Sequence, residues 1–227
     1  MNRLLSIIII SLIIISCKEK TAEQPETAKV VFDQELANEL EQMGELDQLA
    51  ARHAYPPEGY KHLSLEQWKA VKDSIYKTNQ KRLVEMIDAY GYLGFDRVEE
   101  AGESNFWVMV QHCDHDPEFQ QAVLALMKVE VDKGNASPHN YGLLVDRVNL
   151  NTGKPQVYGT QVTYNHDIAQ ALPINLADSA TVNERRSALG MEPLEVYLND
   201  MTLMHFEMNK EFYAEKGITA PTLHKTQ

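Results

Sequence analysis

Two stretches of this chain gather side chains able to move protons, hold charge or ligate a metal. One is Gln111-His112-Cys113-Asp114-His115-Asp116, directly after the apolar run Phe106 to Val110. The other is Asp146-Arg147 together with Pro155-Gln156-Val157-Tyr158-Gly159-Thr160-Gln161. His112 suits a general base. Asp146 or Asp114 would orient its ring, and Arg147 would hold an anionic or developing oxyanion group. Such a set could hydrolyse an ester, amide or glycosidic bond. No G-x-S-x-G elbow is present, which argues against a serine hydrolase of that type.

Blander readings use the same residues. A buried polar side chain without partners costs ~1–3 kcal/mol, so Gln111, His112, Asp146, Arg147, Gln156 and Gln161 would also serve as a hydrogen-bond network that fixes helix packing. Tyr158 suits a core aromatic. Cys113, with no paired base to lower its pKa, suits an inert buried thiol. A metal is the weaker alternative: His112, His115 and Asp116 lie within one turn, but Asp116-Pro117 already reads as a helix cap and no H-E-x-x-H is present. No cofactor is expected. A non-catalytic module presenting the same residues to a small-molecule or protein ligand is the expected function, ahead of an enzyme.

These residues fall in a recurring pattern. Trp107, Gln111, His112 and Asp114 match W-x-x-x-Q-H-x-D, and Asp146, Arg147 and Val148 match D-R-V. Gly153, Pro155, Gln156, Tyr158, Gly159, Thr160 and Gln161 match G-x-P-Q-x-Y-G-T-Q, and Arg185, Arg186, Leu189 and Gly190 match R-R-x-x-L-G. Over roughly residues 35–200 the chain resembles a bacterial domain-of-unknown-function family, catalogued as DUF six-six-two-four. The resemblance implies a bacterial, often exported or lipid-anchored protein and no established activity.

The elements that must position the site are mostly helical. Asp33 caps a helix to about Arg52, with Leu36, Leu40, Met43, Leu46 and Ala50 as its apolar stripe. Ser64 and Gln67 form a capping box for a long helix that stops at Gly91. Gly94 and Gly102 bracket a loop before a buried helix at Phe106 to Val110. Asp116-Pro117 and Ser137-Pro138 each start a further helix. For the second of these, the alternative is a hairpin turning at Asn151 to Lys154. Gln156 to Tyr164 is rich in β-formers, and one hairpin turning near Asn165-His166-Asp167 and ended by Pro173 is expected. Helices follow over Ala180 to Leu189 and from Pro193 to Gly217, the latter burying Leu194, Tyr197, Met201, Met204 and Phe212. Arg185-Arg186 reads as a solvated pair with Glu184. The fold class is mainly α with one small antiparallel β-hairpin (α+β), in a single helical domain over residues 33–217 with a loose tail at 218–227.

Compartment is read from the first residues. Leu4 to Ile15 is an apolar run of about a dozen residues, whereas a membrane-spanning helix needs roughly 20. It fits the core of a signal peptide after Arg3. Ile14-Ile15-Ser16-Cys17 resembles the bacterial lipobox, which implies cleavage after residue 16, diacylglycerol on the Cys17 sulfur and acylation of the new amine. Residues 17–32 then read as the lipidated cysteine and a polar tether. The expected location is the bacterial cell envelope, at the outer membrane and facing the periplasm or the cell surface. The formal net charge of −12 disfavours nucleic acid and anionic headgroups as partners, so attachment falls to the lipid. The remaining cysteine, Cys113, has no partner for an intrachain disulfide once Cys17 is acylated.

Overall fold

The computed structural model describes residues 30–226. Residues 1–16, Cys17 and most of the tether lie outside the described residues. Helix α1 (Gln34–Arg52) begins where the Asp33 side chain accepts from the Leu36 amide. A 3-10 turn (Glu58–Tyr60) leads to α2 (Leu65–Tyr90). Both halves of the Ser64–Gln67 capping box form, and Gly91 takes the positive φ of 75° that ends the helix. α3 (Phe95–Gln111), α4 (Pro117–Asp132) and α5 (Pro138–Asn151) complete the bundle. The last two start at the expected Asp116 and Ser137 caps, with proline in the first turn. α5 continues to Asn151, so the hairpin considered there does not form.

α1 lies between two partners. Asp33 donates its amide to the Arg97 carbonyl at one end, and Asp47 meets His112 at the other, so α1 and α3 run side by side in one direction. Arg82 pairs with Glu39, while the Trp68 indole donates to the His53 carbonyl, so α2 runs antiparallel to α1. The core between them holds Leu36, Leu40, Leu83, Met86, Phe106, Val110 and Leu144. Gly44 permits the close approach of α1 to α3: a Cβ there would stand 2.7 Å from Asn105 Oδ1.

The second half covers the end of the bundle. Strands β1 (Val162–Asn165) and β2 (Gln170–Pro173) pair antiparallel, with Tyr164 opposite Ala171. α6 (Val182–Ala188), α7 (Leu194–Met208) and α8 (Lys210–Glu215) follow. Ala171, Val182, Leu194 and Leu198 form a second apolar cluster. The architecture is the expected α+β, mostly helical with one two-stranded sheet. Among the described residues no helix is long and apolar enough to cross a membrane.

Four local expectations are corrected. Gly94 to Gly102 is not a loop: α3 already runs through it, bent at Glu99, whose φ of 58° and ψ of 179° leave the helical basin. The bend presses Val98 against Gly102, where a Cβ would lie 2.6 Å from the valine Cβ, so this glycine serves packing. The last helix is broken in two at Asn209, and its buried line is Leu194, Leu198, Thr202 and Phe206, while Met204 and Phe212 are exposed. Gln156 to Gln161 is not a strand, because its amides turn inward onto Asp146. The tail is held rather than loose: Thr222 donates its amide to the Ile168 carbonyl, and His224 bonds Asn199 and the Ala171 carbonyl.

Candidate functional site

The residues singled out by the sequence separate into two clusters on different sides of α5. Successive helix positions are rotated by about 100°, and Asp146 and Arg147 consequently face different ways.

Asp146 faces inward and is fully buried. Its Oδ1 accepts from the amides of Val157 (2.6 Å) and Tyr158 (3.0 Å), and its Oδ2 accepts from the Thr160 amide (2.9 Å). Gly159, at φ 73°, lets the loop curl around the carboxylate, and a Cβ there would strike Leu194. Gln156 is equally buried and closes the loop from within. Its amide nitrogen donates to the carbonyls of Gln161 and Ile174, and its oxygen accepts from the Gln161 amide at 2.7 Å. Arg186 seals the far side, 1% exposed, donating to the carbonyls of Glu192 (2.6 Å) and Tyr158 (2.8 Å) and lying over the Tyr197 ring. Burial lowers its pKa from the ordinary guanidinium value. Arg185 binds the Val157 carbonyl and Thr181. The Arg185-Arg186 pair is thus built into the loop and not a solvated pair with Glu184. Tyr158 enters through its backbone. Its half-buried ring has a pKa raised by burial first and then by the charges around it, so the phenol stays protonated. Gln161 reaches only Thr160 Oγ1 with its side chain, at 3.3 Å. Every hydrogen bond in this cluster is internal, and its chemistry is that of a fastener.

The other cluster lies where α3 ends. His112 is the C-cap of α3, and its Nδ1 stands 2.6 Å from Oδ2 of Asp47 on α1. Asp47 is fully buried, whereas the His112 side chain keeps 16% of its surface exposed. Facing a carboxylate oxygen, Nδ1 carries the proton and donates it, and Nε2 takes no part in that bond. Asp47 Oδ1 has no hydrogen-bond partner among the described residues. The Tyr76 ring packs 5.6 Å from the imidazole. Burial, then the charges of Asp47 and Asp73, raise the Tyr76 pKa, so it stays a hydrogen-bond donor.

Arg147 points to this side and grips Asp114 with two nitrogens, Nε donating to Oδ1 at 2.8 Å. Asn151 and Gln120 donate to the same carboxylate. Burial pushes the Asp114 pKa up, but the hydrogen bond and charge of Arg147 and the bond from Asn151 outweigh it, and the net shift is downward. Gln111 contributes its backbone carbonyl, which accepts from the Gln120 amide at 3.0 Å. Cys113 is buried, its thiol donating to the Met109 carbonyl, with a pKa pushed up to about 12, first by burial and then by nearby carboxylates. It is not a nucleophile at neutral pH.

The metal alternative at this end is not assembled. His112 is committed to α1, while His115 Nε2 and the Asp116 carboxylate both meet Gln80 on α2. Among the described residues no group of three histidine, cysteine or acidic side chains is placed to hold an ion. A groove of about 450 Å³ runs beside α1, lined by Gly44, Gln48, Leu49, Arg52, His53 and Asn105, and none of the residues chosen from sequence lines it.

A comparison with known families matches residues 34–205 to one described as a family of unknown function, DUF6624. The chain belongs to this family. No curated protein and no solved structure matches the chain. The DUF6624 match runs from α1 through most of α7, so it takes in both clusters and also Asp47, the residue that sequence reasoning passed over. A signal for Asp47 was present. Positions 36, 40, 43, 47 and 50 keep helical spacing, so a carboxylate stood on the apolar stripe, while Leu46, assigned to it, is 41% exposed.

Proposed function

We propose that this chain is a lipid-anchored protein of the bacterial cell envelope whose DUF6624 domain binds a ligand on the face formed by His112, Tyr76, Asp114 and Arg147. The supporting observation is the His112–Asp47 pair. A fully buried carboxylate fixes one ring nitrogen, and the imidazole keeps part of its surface exposed. The Arg147–Asp114 ion pair, whose charges both act on Tyr76, adds donors and acceptors to this face. The anchor rests on the lipobox-like residues before Cys17.

The test uses native mass spectrometry of the mature protein after incubation with envelope small-molecule extract. His112→Gln and Arg147→Met are the comparison variants. Glutamine still donates to Asp47, so the fold is retained. A species held by wild type and released by both variants is the expected result. Equal retention by all three, or none by wild type, refutes the binding face.

A second reading has its own observation. The Asp47–His112 geometry is that of a base and its orienting carboxylate, which fits activation of a water for hydrolysis. Turnover of an ester, amide or glycoside by wild type, lost in His112→Gln, would select it over binding alone.

A further inference from the structure

A second imidazole cluster lies at the hairpin end of the molecule, apart from the His112 face. Tyr213 on α8 is buried, and its hydroxyl oxygen stands 3.1 Å from His205 Nδ1 and 3.3 Å from His166 Nδ1. His205 belongs to α7, and His166 to the turn between β1 and β2. Two imidazole nitrogens from separate elements therefore stand within hydrogen-bonding distance of one hydroxyl oxygen on a third.

Packing fixes all three rings. Tyr164 stacks on His205 with centroids 3.6 Å apart and planes within 15°. Phe212 stands edge-on to His166 at 5.6 Å, and Phe206 stacks on Tyr213 at 5.3 Å. His166 itself is exposed, so the cluster opens to solvent on that side. Asp167 lies in the same turn, and Lys216 lies 3.9 Å from it.

The spacing is informative. Donors bound tetrahedrally to a metal at about 2.0–2.1 Å stand roughly 3.3 Å from one another. The two separations at Tyr213 Oη are close to that edge length. Without a cation, one hydroxyl proton serves one imidazole, and the other ring must donate its own Nδ1 proton. Among the described residues neither Nε2 has a hydrogen-bond partner, so either ring can move its proton there and free Nδ1.

We propose that His166, His205 and Tyr213 bind one divalent transition cation of the Zn²⁺ or Cu²⁺ class. Both rings take the Nε2–H tautomer and bind through Nδ1. Tyr213 binds as the phenolate, and its proton leaves to solvent, one per cation. Water completes the coordination on the exposed His166 side. Imidazole and phenolate are borderline to hard donors, which fits this class and not Ca²⁺ or Mg²⁺.

The test is titration of the mature protein, stripped with chelator, by ZnCl₂ and separately by CuCl₂. Calorimetry should show one equivalent bound with one proton released, and Cu²⁺ should give a visible phenolate-to-copper absorption band. Tyr213→Phe should abolish the band and the proton release and weaken binding at least about tenfold. His166→Gln, at an exposed turn position, should weaken binding similarly with no change of melting temperature in EDTA. Absence of stoichiometric binding overturns the site. So does binding that both variants retain, or binding that only His112→Gln removes.

Discussion

The Asp146 loop and the His112 face are built from the same residue types, yet one is closed and the other is open. Asp146 spends its carboxylate on three backbone amides of its own chain, and Gln156 and Arg186 cap the remaining carbonyls. His112 uses one nitrogen for a buried partner, and its side chain stays partly exposed. The lesson is that adjacent polar residues in one motif can hold different offices, and burial of the partner decides which. A saturated network stabilises, while a half-committed one is free to act.

The sharpest way to break this comparison is Asp146→Ala. It strands three buried or part-buried amides, the buried one costing ~1–3 kcal/mol, so a loss of about 3–5 kcal/mol is expected by chemical denaturation. A loss below about 1 kcal/mol would mean that the loop does not depend on this carboxylate.

His112→Ala comes next. It leaves Asp47 buried with only a long 3.4 Å bond from the Gln48 side-chain amide, which costs roughly 2–3 kcal/mol for a pair whose histidine is partly solvated. Adding Asp47→Asn to the same chain should restore much of that loss, because the stranded charge disappears. Failure of the second change to rescue the first would separate the two side chains energetically. His112→Ala therefore confounds function with stability, whereas His112→Gln does not.

The smallest effect belongs to Asp114. Its folded pKa lies below the ordinary carboxylate value, so its contribution is present above that ordinary value, near pH 4, and fades as pH falls through the folded pKa. The carboxylate is 45% exposed, and solvent screening limits the contribution to under about 1 kcal/mol. Asp114→Asn should flatten the decline of melting temperature below pH 4 and change little at pH 7. An unchanged acid limb would remove Asp114 and Arg147 from the face as a coupled pair.

Much of the fold is legible in local sequence. The capping residues Asp33, Ser64, Asp116 and Ser137 mark their helices because each satisfies amides within its own first turn. The hairpin follows from β-formers beside a polar turn. What stays hidden is set by distant partners. Asp47 lies 65 positions from His112 and becomes meaningful only when α1 and α3 run together. Arg186 looks solvated beside Glu184 until the Tyr158 carbonyl arrives from 28 positions upstream. Gly102 signals a loop by composition, but the bend at Glu99 makes it a contact surface for Val98.

That bend reaches further. With Glu99 outside the helical basin, α3 is two helical segments joined across a kink at one residue. The leading segment is clamped to Asn135, and the trailing one carries His112 toward α1. The aim of the imidazole is therefore set by the segment after Glu99, and the grip of Asn135 by the segment before it.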